Sequence, residues 1–283
     1  MGKKKRIISY ILSIFLVIFL FITILLTTLN CTILSTLNVK KKVAESNYYA
    51  ELQKIIVESS QNYVMQSGFD ESIMDGVVNV YDVQYDVDGL IDYIYEGKEY
   101  VVQSNMIRAN LDKNIKEYVE ANDYEISEEN QKGIDEFENA IEDIYKRNIM
   151  YSEETIKQIA HVVGIIKKVT PIAMIVCAII SIVLALITKE TSSPAIGISM
   201  LSTGALFVFL KTYSGTNVAI NNILLLNKAF SNTLIAMANQ VIQKLYTVGV
   251  ILCIAGVAFI IYAEAKKKVV RVKLLEEHSQ IIR

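Results

Sequence analysis

From Ile7 to Leu29 the chain runs 23 residues without one charged side chain. A helix of that length, rising 1.5 Å per residue, spans a hydrocarbon core of about 30 Å, and the run is far longer than the apolar stripe of a soluble helix. Three more blocks have the same character: Val169 to Ile187, Ala195 to Leu210 and Thr247 to Ala263. With 52% hydrophobic residues, two prolines and the apolar residues gathered into these blocks, the expectation is an all-α membrane protein of four transmembrane helices. The remainder predicts a helical extracytoplasmic domain inserted between helices 1 and 2, and a long amphipathic stalk helix leading into helix 4.

The first block is preceded by MGKKKR and exceeds the 7 to 15 apolar residues of a signal peptide, and no small-x-small cleavage site follows, so it reads as an uncleaved anchor. Orientation follows from lysine and arginine in the short segments. Lys3, Lys4, Lys5 and Arg6 precede the first span, and Lys266, Lys267, Lys268, Arg271 and Lys273 follow the last. Both termini are expected in the cytoplasm of a cell whose plasma membrane holds the protein as a multi-pass chain. The layout is then a cytoplasmic N-terminus (1–6), a first anchor (7–36), the extracytoplasmic domain (37–168), a second span (169–188), a cytoplasmic turn (189–194), a third span (195–212), the stalk (213–246), a fourth span (247–264) and a basic cytoplasmic tail (265–283). Lys40, Lys41 and Lys42 sit on the outer side and argue against this orientation.

The near-neutral net charge of −2 hides a division. Residues 38–168 carry 26 acidic and 14 basic side chains, the rest of the chain 4 and 14. An acidic domain of this kind disfavours nucleic acid as a partner. The basic tail, Lys266, Lys267, Lys268, Arg271 and Lys273, is expected to meet anionic lipid headgroups, each cation contributing about 1 kcal/mol near such a surface. Cys31, Cys177 and Cys253 all fall in or beside spans, so no disulfide framework is expected in the domain. Abundant Ile, Lys, Asn and Tyr point to an AT-rich bacterial genome.

Within the domain, Tyr48, Leu52, Ile55, Ile56 and Tyr63 mark a helix ending at Gly68. Ile107, Leu111, Ile115, Tyr118 and Val119 mark another, which Ser104 is placed to cap, and Ile134, Phe137, Ile141, Ile144, Tyr145 and Ile149 a third. The stretch YDVQYDVDGLIDYIYEGKEY, Tyr81 to Tyr100, invites a calcium-loop reading about Gly89, with Asp86 and Asp88 as ligands. The first and twelfth loop positions are then Gln84 and Tyr95, which supply no carboxylate. A helix from Asp86 to Glu96 fits better, with Asp86 capping its start, Gly97 closing its end, a turn over Val78 to Val87 before it, and its acids on a solvated face.

Chemistry-bearing motifs are sparse. There are two histidines, His161 and His278, and no Walker, dinucleotide, nucleophile-elbow or HExxH pattern. No enzyme activity, metal or cofactor is expected. Ala195, Gly197, Ser199, Ser202 and Gly204 predict close helix packing in the third span, a feature that allows homo-oligomers.

Between Thr216 and Tyr246, Ile223, Leu226, Phe230, Leu234, Met237, Val241 and Leu245 recur at spacings of 3 and 4, opposite a face of Asn, Gln and Lys. This apolar face is the candidate interaction surface. The segment is expected to continue into the fourth span as one helix and to stand on the domain, although its amphipathicity also suits a helix lying in the bilayer surface. The order of spans is similar to that of four-span ABC-type mechanotransmission subunits, but the turn at Thr188 to Pro194 is shorter than the cytoplasmic coupling segment of that class. Two functions remain: a non-enzymatic envelope protein whose domain binds a protein or envelope partner while the stalks relay or fix its state, or an accessory or permease subunit of a transporter, ABC-type included.

Overall fold

The computed structural model describes residues 3–150, 152–191, 194–216 and 228–281, and every regular element among them is helical. In chain order these are α1 (Lys3–Asn30), α2 (Thr36–Glu45), α3 (Tyr48–Ser67), a 3-10 turn (Glu71–Met74), α4 (Val80–Glu96), α5 (Ser104–Ala121), α6 (Glu128–Met150), α7 (Glu153–Thr191), α8 (Pro194–Thr216) and α9 (Lys228–Ile281). Four helices are long and apolar enough to cross a membrane. The chain divides into two compact units: an apolar unit from the described parts of Met1–Ile33, Lys167–Ile223 and Met237–Arg283, and an inserted unit from those of Leu34–Ile166 and Leu224–Ala236.

In the apolar unit α8 presents different residues to two neighbours. Toward α1, Ser199 Oγ donates to the Ser13 carbonyl at 3.1 Å, Thr203 Oγ1 to the Val17 carbonyl at 3.4 Å, and the Phe207 ring stacks on Phe21 with centroids 4.8 Å apart. Toward α9 it presents glycine. A Cβ at Gly197 would lie 2.8 Å from the Gly256 carbonyl oxygen, and one at Gly204 would lie 2.6 Å from that of Gly249. The converse also holds, at 2.7 Å for Gly256 and 2.9 Å for Gly249. Two glycines seven residues apart on each helix thus bring the backbones into direct contact, the small-residue packing that substitutes for the hydrophobic drive lipid cannot supply. The small residues of the third span are therefore used inside the chain.

The inserted unit is held by side chains. Leu52 and Ile56 of α3, Ile107, Leu111 and Ile115 of α5, and Ile141 and Tyr145 of α6 are almost completely shielded from solvent. Helix α6 packs on α3, α4 and α5, and Asn114 Nδ2 ties down the 3-10 turn by donating to the Ile73 and Asp75 carbonyls at 2.9 Å each. Gly68 and Gly97 adopt the left-handed conformation that ends α3 and α4.

Two local expectations are corrected. Helix α4 begins at Val80, where the Asn79 side chain accepts from Tyr81 N at 3.0 Å, so the VNVYDVQYDV alternation is mostly helix. Val83, Val87, Leu90 and Ile91 turn inward at helical spacing while Tyr81 and Tyr85 stay exposed. Ser104 is the first residue of α5, and its hydroxyl donates to Glu142 Oε1 at 2.6 Å rather than capping the helix. Helix α9 also continues through the basic tail as far as Ile281.

Candidate functional site

Of the predicted stalk face, Ile223 and Leu226 lie outside the described residues. Phe230 and Leu234 are half-buried. Val241 and Leu245 join Phe207 in a core covered by Phe21, Ile24, Leu25 and Leu29, all within the apolar unit, and Met237 is 8% exposed. In the part of α9 that belongs to the inserted unit, the buried residues are polar: Ser231 is 3% and Thr233 4% exposed, and Thr233 Oγ1 lies 2.6 Å from Ser46 Oγ. Nothing in the 3,4 apolar spacing reveals this hydroxyl contact, although the SNT triplet at Ser231 to Thr233 interrupts the apolar pattern. Of the headgroup candidates, Lys266 and Lys268 are exposed on α9, and Lys267, Arg271 and Lys273 belong to the same helix.

Asp86 is the most unusual carboxylate in the inserted unit. It is fully buried in mid-helix and neither caps α4 nor faces water. Its Oδ1 accepts from Tyr100 Oη at 2.6 Å and from Gln103 N at 3.0 Å, and its Oδ2 accepts from Tyr145 Oη at 2.6 Å. Burial and the hydrogen bond to this carboxylate push both phenols well above the ordinary tyrosine range. Gly89 makes room for the arrangement: a Cβ there would sit 2.5 Å from the Tyr100 ring. The glycine that suggested a calcium loop is the seat of an aromatic ring. With both oxygens engaged by three donors, Asp86 joins α4, α6 and the segment between α4 and α5.

Beside it, Tyr81, Tyr85, Tyr100, Lys40, Asp92 and Lys98 line an open depression of about 630 Å³. Asp92 pairs there with Lys40 at 2.6 Å and with Lys98 at 3.1 Å. Burial acts to raise the Asp92 pKa, but the two ammonium groups outweigh it and the carboxyl titrates below its usual range.

A different groove, of about 440 Å³, opens where α3 ends and α6 begins. Four of its lining residues are rings, Tyr63, Phe69, Tyr124 and Phe137: Tyr63 stacks on Phe137 (5.8 Å), Phe137 meets Phe69 (5.0 Å), and Tyr118, outside the lining, links Phe69 (6.1 Å) to Tyr124 (6.2 Å). Two helix ends position these rings. Left-handed Gly68 terminates α3 and delivers Phe69, while Asp123, at φ 54°, terminates α5 and delivers Tyr124. Tyr124 N then donates to the Val119 carbonyl at 3.1 Å, the reach-back bond of a Schellman ending. Ser127 opens α6 by accepting from Asn130 N at 3.2 Å. Gly133, one turn further on, lines the groove with no side chain, and a Cβ there would meet nothing within 4 Å. Tyr63, Tyr124 and Ile126 remain exposed, unlike the covered aromatic residues of the core. The groove is not legible from spacing, because its rings come from α3, α6 and the turns after α3 and α5, which periodicity treats separately.

The surroundings of the groove are acidic. Residues 117–136 hold eight carboxylates and one cation, Lys132. Two of the acids are paired, Glu117 with Lys113 at 3.7 Å and Glu136 with Lys132 at 3.9 Å. Comparison with protein-family models, curated proteins and solved structures finds no match to this chain.

Proposed function

We propose that this chain is a non-enzymatic integral protein of the bacterial cell membrane, with both termini cytoplasmic, whose inserted helical unit faces outward and captures a protein or envelope partner. In this proposal α7 and α9, each of which contributes residues to both units, relay or fix the bound state. The observation that carries it is the ring-lined groove: aromatic surface left open on a well-packed unit, held by two helix terminations, is the form of a docking site and not of an unfinished core.

Site-specific photo-crosslinking in intact cells tests the proposal. A benzophenone residue in place of Tyr124 should form discrete adducts, and one in place of Lys54, which is 69% exposed on its side chain, should not. Equal adducts at both positions, or none at Tyr124, would remove the basis for partner capture. Copurification of a stoichiometric ATPase in mild detergent would instead make the chain a transporter subunit. Orientation is tested by replacing Cys31 with serine and Lys113 with cysteine. An impermeant maleimide should label this variant in intact cells, and labelling only after lysis would reverse the topology.

A further inference from the structure

We infer that the aromatic groove receives a cationic peptide segment which seats an apolar side chain over Gly133. This rests on the partner capture proposed above and gives the partner a chemistry. Gly133 supplies the first observation. It lies inside α6, where glycine is about 1 kcal/mol less favourable than alanine. Neither a left-handed φ nor a crowding neighbour calls for glycine there. Removing the side chain deepens the groove and lets an incoming chain approach the α6 backbone. The fold spends helix stability on a space it does not itself fill.

Preorganisation is the second observation. The five rings are fixed by one another and by the endings at Gly68 and Asp123, so an incoming apolar group meets a formed surface with little left to order. A volume of about 440 Å³ takes a few side chains, which suits a segment of peptide better than the face of a globular domain.

Charge decides the class of occupant. Glu125 and Glu136 line the groove. Glu120, Asp123, Glu125 and Glu128 are exposed and form no ion pair among the described residues. Within a screening length of about 8 to 10 Å these carboxylates act on one ligand together. They repel anionic polymers and anionic lipid headgroups and attract lysine and arginine, which the exposed ring faces of Tyr63 and Tyr124 also favour.

The experiment uses the full chain in nanodiscs of zwitterionic lipid and three fluorescent dodecapeptides read by anisotropy: one of lysine, leucine and phenylalanine, one with glutamate for lysine, and one with serine for the apolar residues. The first should bind at least about tenfold more tightly than either control and weaken several-fold between about 50 and 300 mM NaCl. Gly133→Phe should abolish this binding while leaving the melting temperature unchanged or higher. Glu125→Gln combined with Glu128→Gln, at exposed positions that cannot unfold the unit, should weaken it about threefold or more. Undiminished binding by Gly133→Phe would show that the groove is not the site. Equal binding of the glutamate peptide would overturn the cationic class. If no peptide binds while Tyr124 crosslinks in cells, the inference falls and partner capture stands; if Tyr124 gives no adduct either, both fall.

Discussion

Both units are built from helices alone among the described residues, yet they close those helices by opposite means. In the apolar unit α8 and α9 touch where side chains vanish, with Gly197 against Gly256 and Gly204 against Gly249. In the inserted unit the helices meet through their bulkiest residues, and a fully buried carboxylate, Asp86, gathers two phenols and a backbone N–H. The contrast follows from the solvent each surface is suited to. Lipid gives apolar side chains no reason to leave it, so close backbone contact must supply the attraction. Water favours the burial of every methylene, and a satisfied polar hub then selects one arrangement among many greasy ones.

The largest expected effect comes from filling the glycine contact. Gly204→Leu forces a side chain into space where even a Cβ would lie 2.6 Å from a carbonyl oxygen, and should destabilise the α8–α9 pair by about 3 kcal/mol or more. Peptide-resolved hydrogen exchange in detergent should show faster exchange in α8 and α9 and unchanged protection in α3 and α6. Equal loss in both units would mean that their packing is not separable. Next, Asp86→Ala orphans three donors at about 1 to 3 kcal/mol each before relaxation, a net loss of about 3–5 kcal/mol. Asp86→Asn should cost markedly less, and thermal melts that fail to separate the two variants would argue against a hydrogen-bonded hub.

A smaller effect depends on pH. Glu138 is 4% exposed and pairs with Arg108 Nε at 3.2 Å through Oε2, while its Oε1 has no hydrogen-bond partner. Burial raises its pKa despite the Arg108 guanidinium, whereas hydrogen bonds from Lys146 and Ser104 lower that of Glu142 one turn along. The raised group contributes stability that is full below its unfolded pKa and is lost as pH rises through the folded value. The lowered group contributes stability present above its unfolded pKa and lost as pH falls through the folded value. Glu138→Gln should therefore raise the melting temperature at neutral pH, with the gain shrinking as pH falls through the raised folded value and gone below the unfolded value of about 4.3. A pH-independent loss would show that the Arg108 pair outweighs burial. The smallest effect is at the groove's lip: Asp123→Gly relieves a left-handed aspartate and should stabilise by about 0.5 kcal/mol, with Asp123→Ala destabilising by about 1 kcal/mol. Melts in the opposite order would mean that the aspartate side chain itself holds the turn.

The legible parts of this fold are those decided within a few turns of chain. Uncharged runs announce membrane-type helices, and the Tyr48 to Gly68 helix has its stripe and its terminator in adjacent sequence. Asp86 escapes such a reading because an acid beside tyrosines on a helix looks solvated, and its burial depends on Tyr100 and on Tyr145, 59 positions away. The apolar repeat of Met237, Val241 and Leu245 marks a buried face without naming its neighbours, which are Phe207 and α1 residues for the last two. For the groove, Tyr63, Tyr118 and Phe137 are visible only as positions on three separate helical stripes, and Gly133 carries no signal of its own.

The glycine pairs also work as an index. Because the helices run antiparallel and both repeats are seven residues long, one alignment mates both pairs. A slide of seven residues, about 10.5 Å, leaves a single pair in contact, and a slide of three or four leaves none. Helix α8 therefore cannot creep along α9 in small increments. The two form one double rod, and wherever α9 travels along its axis, α8 goes with it at full stroke.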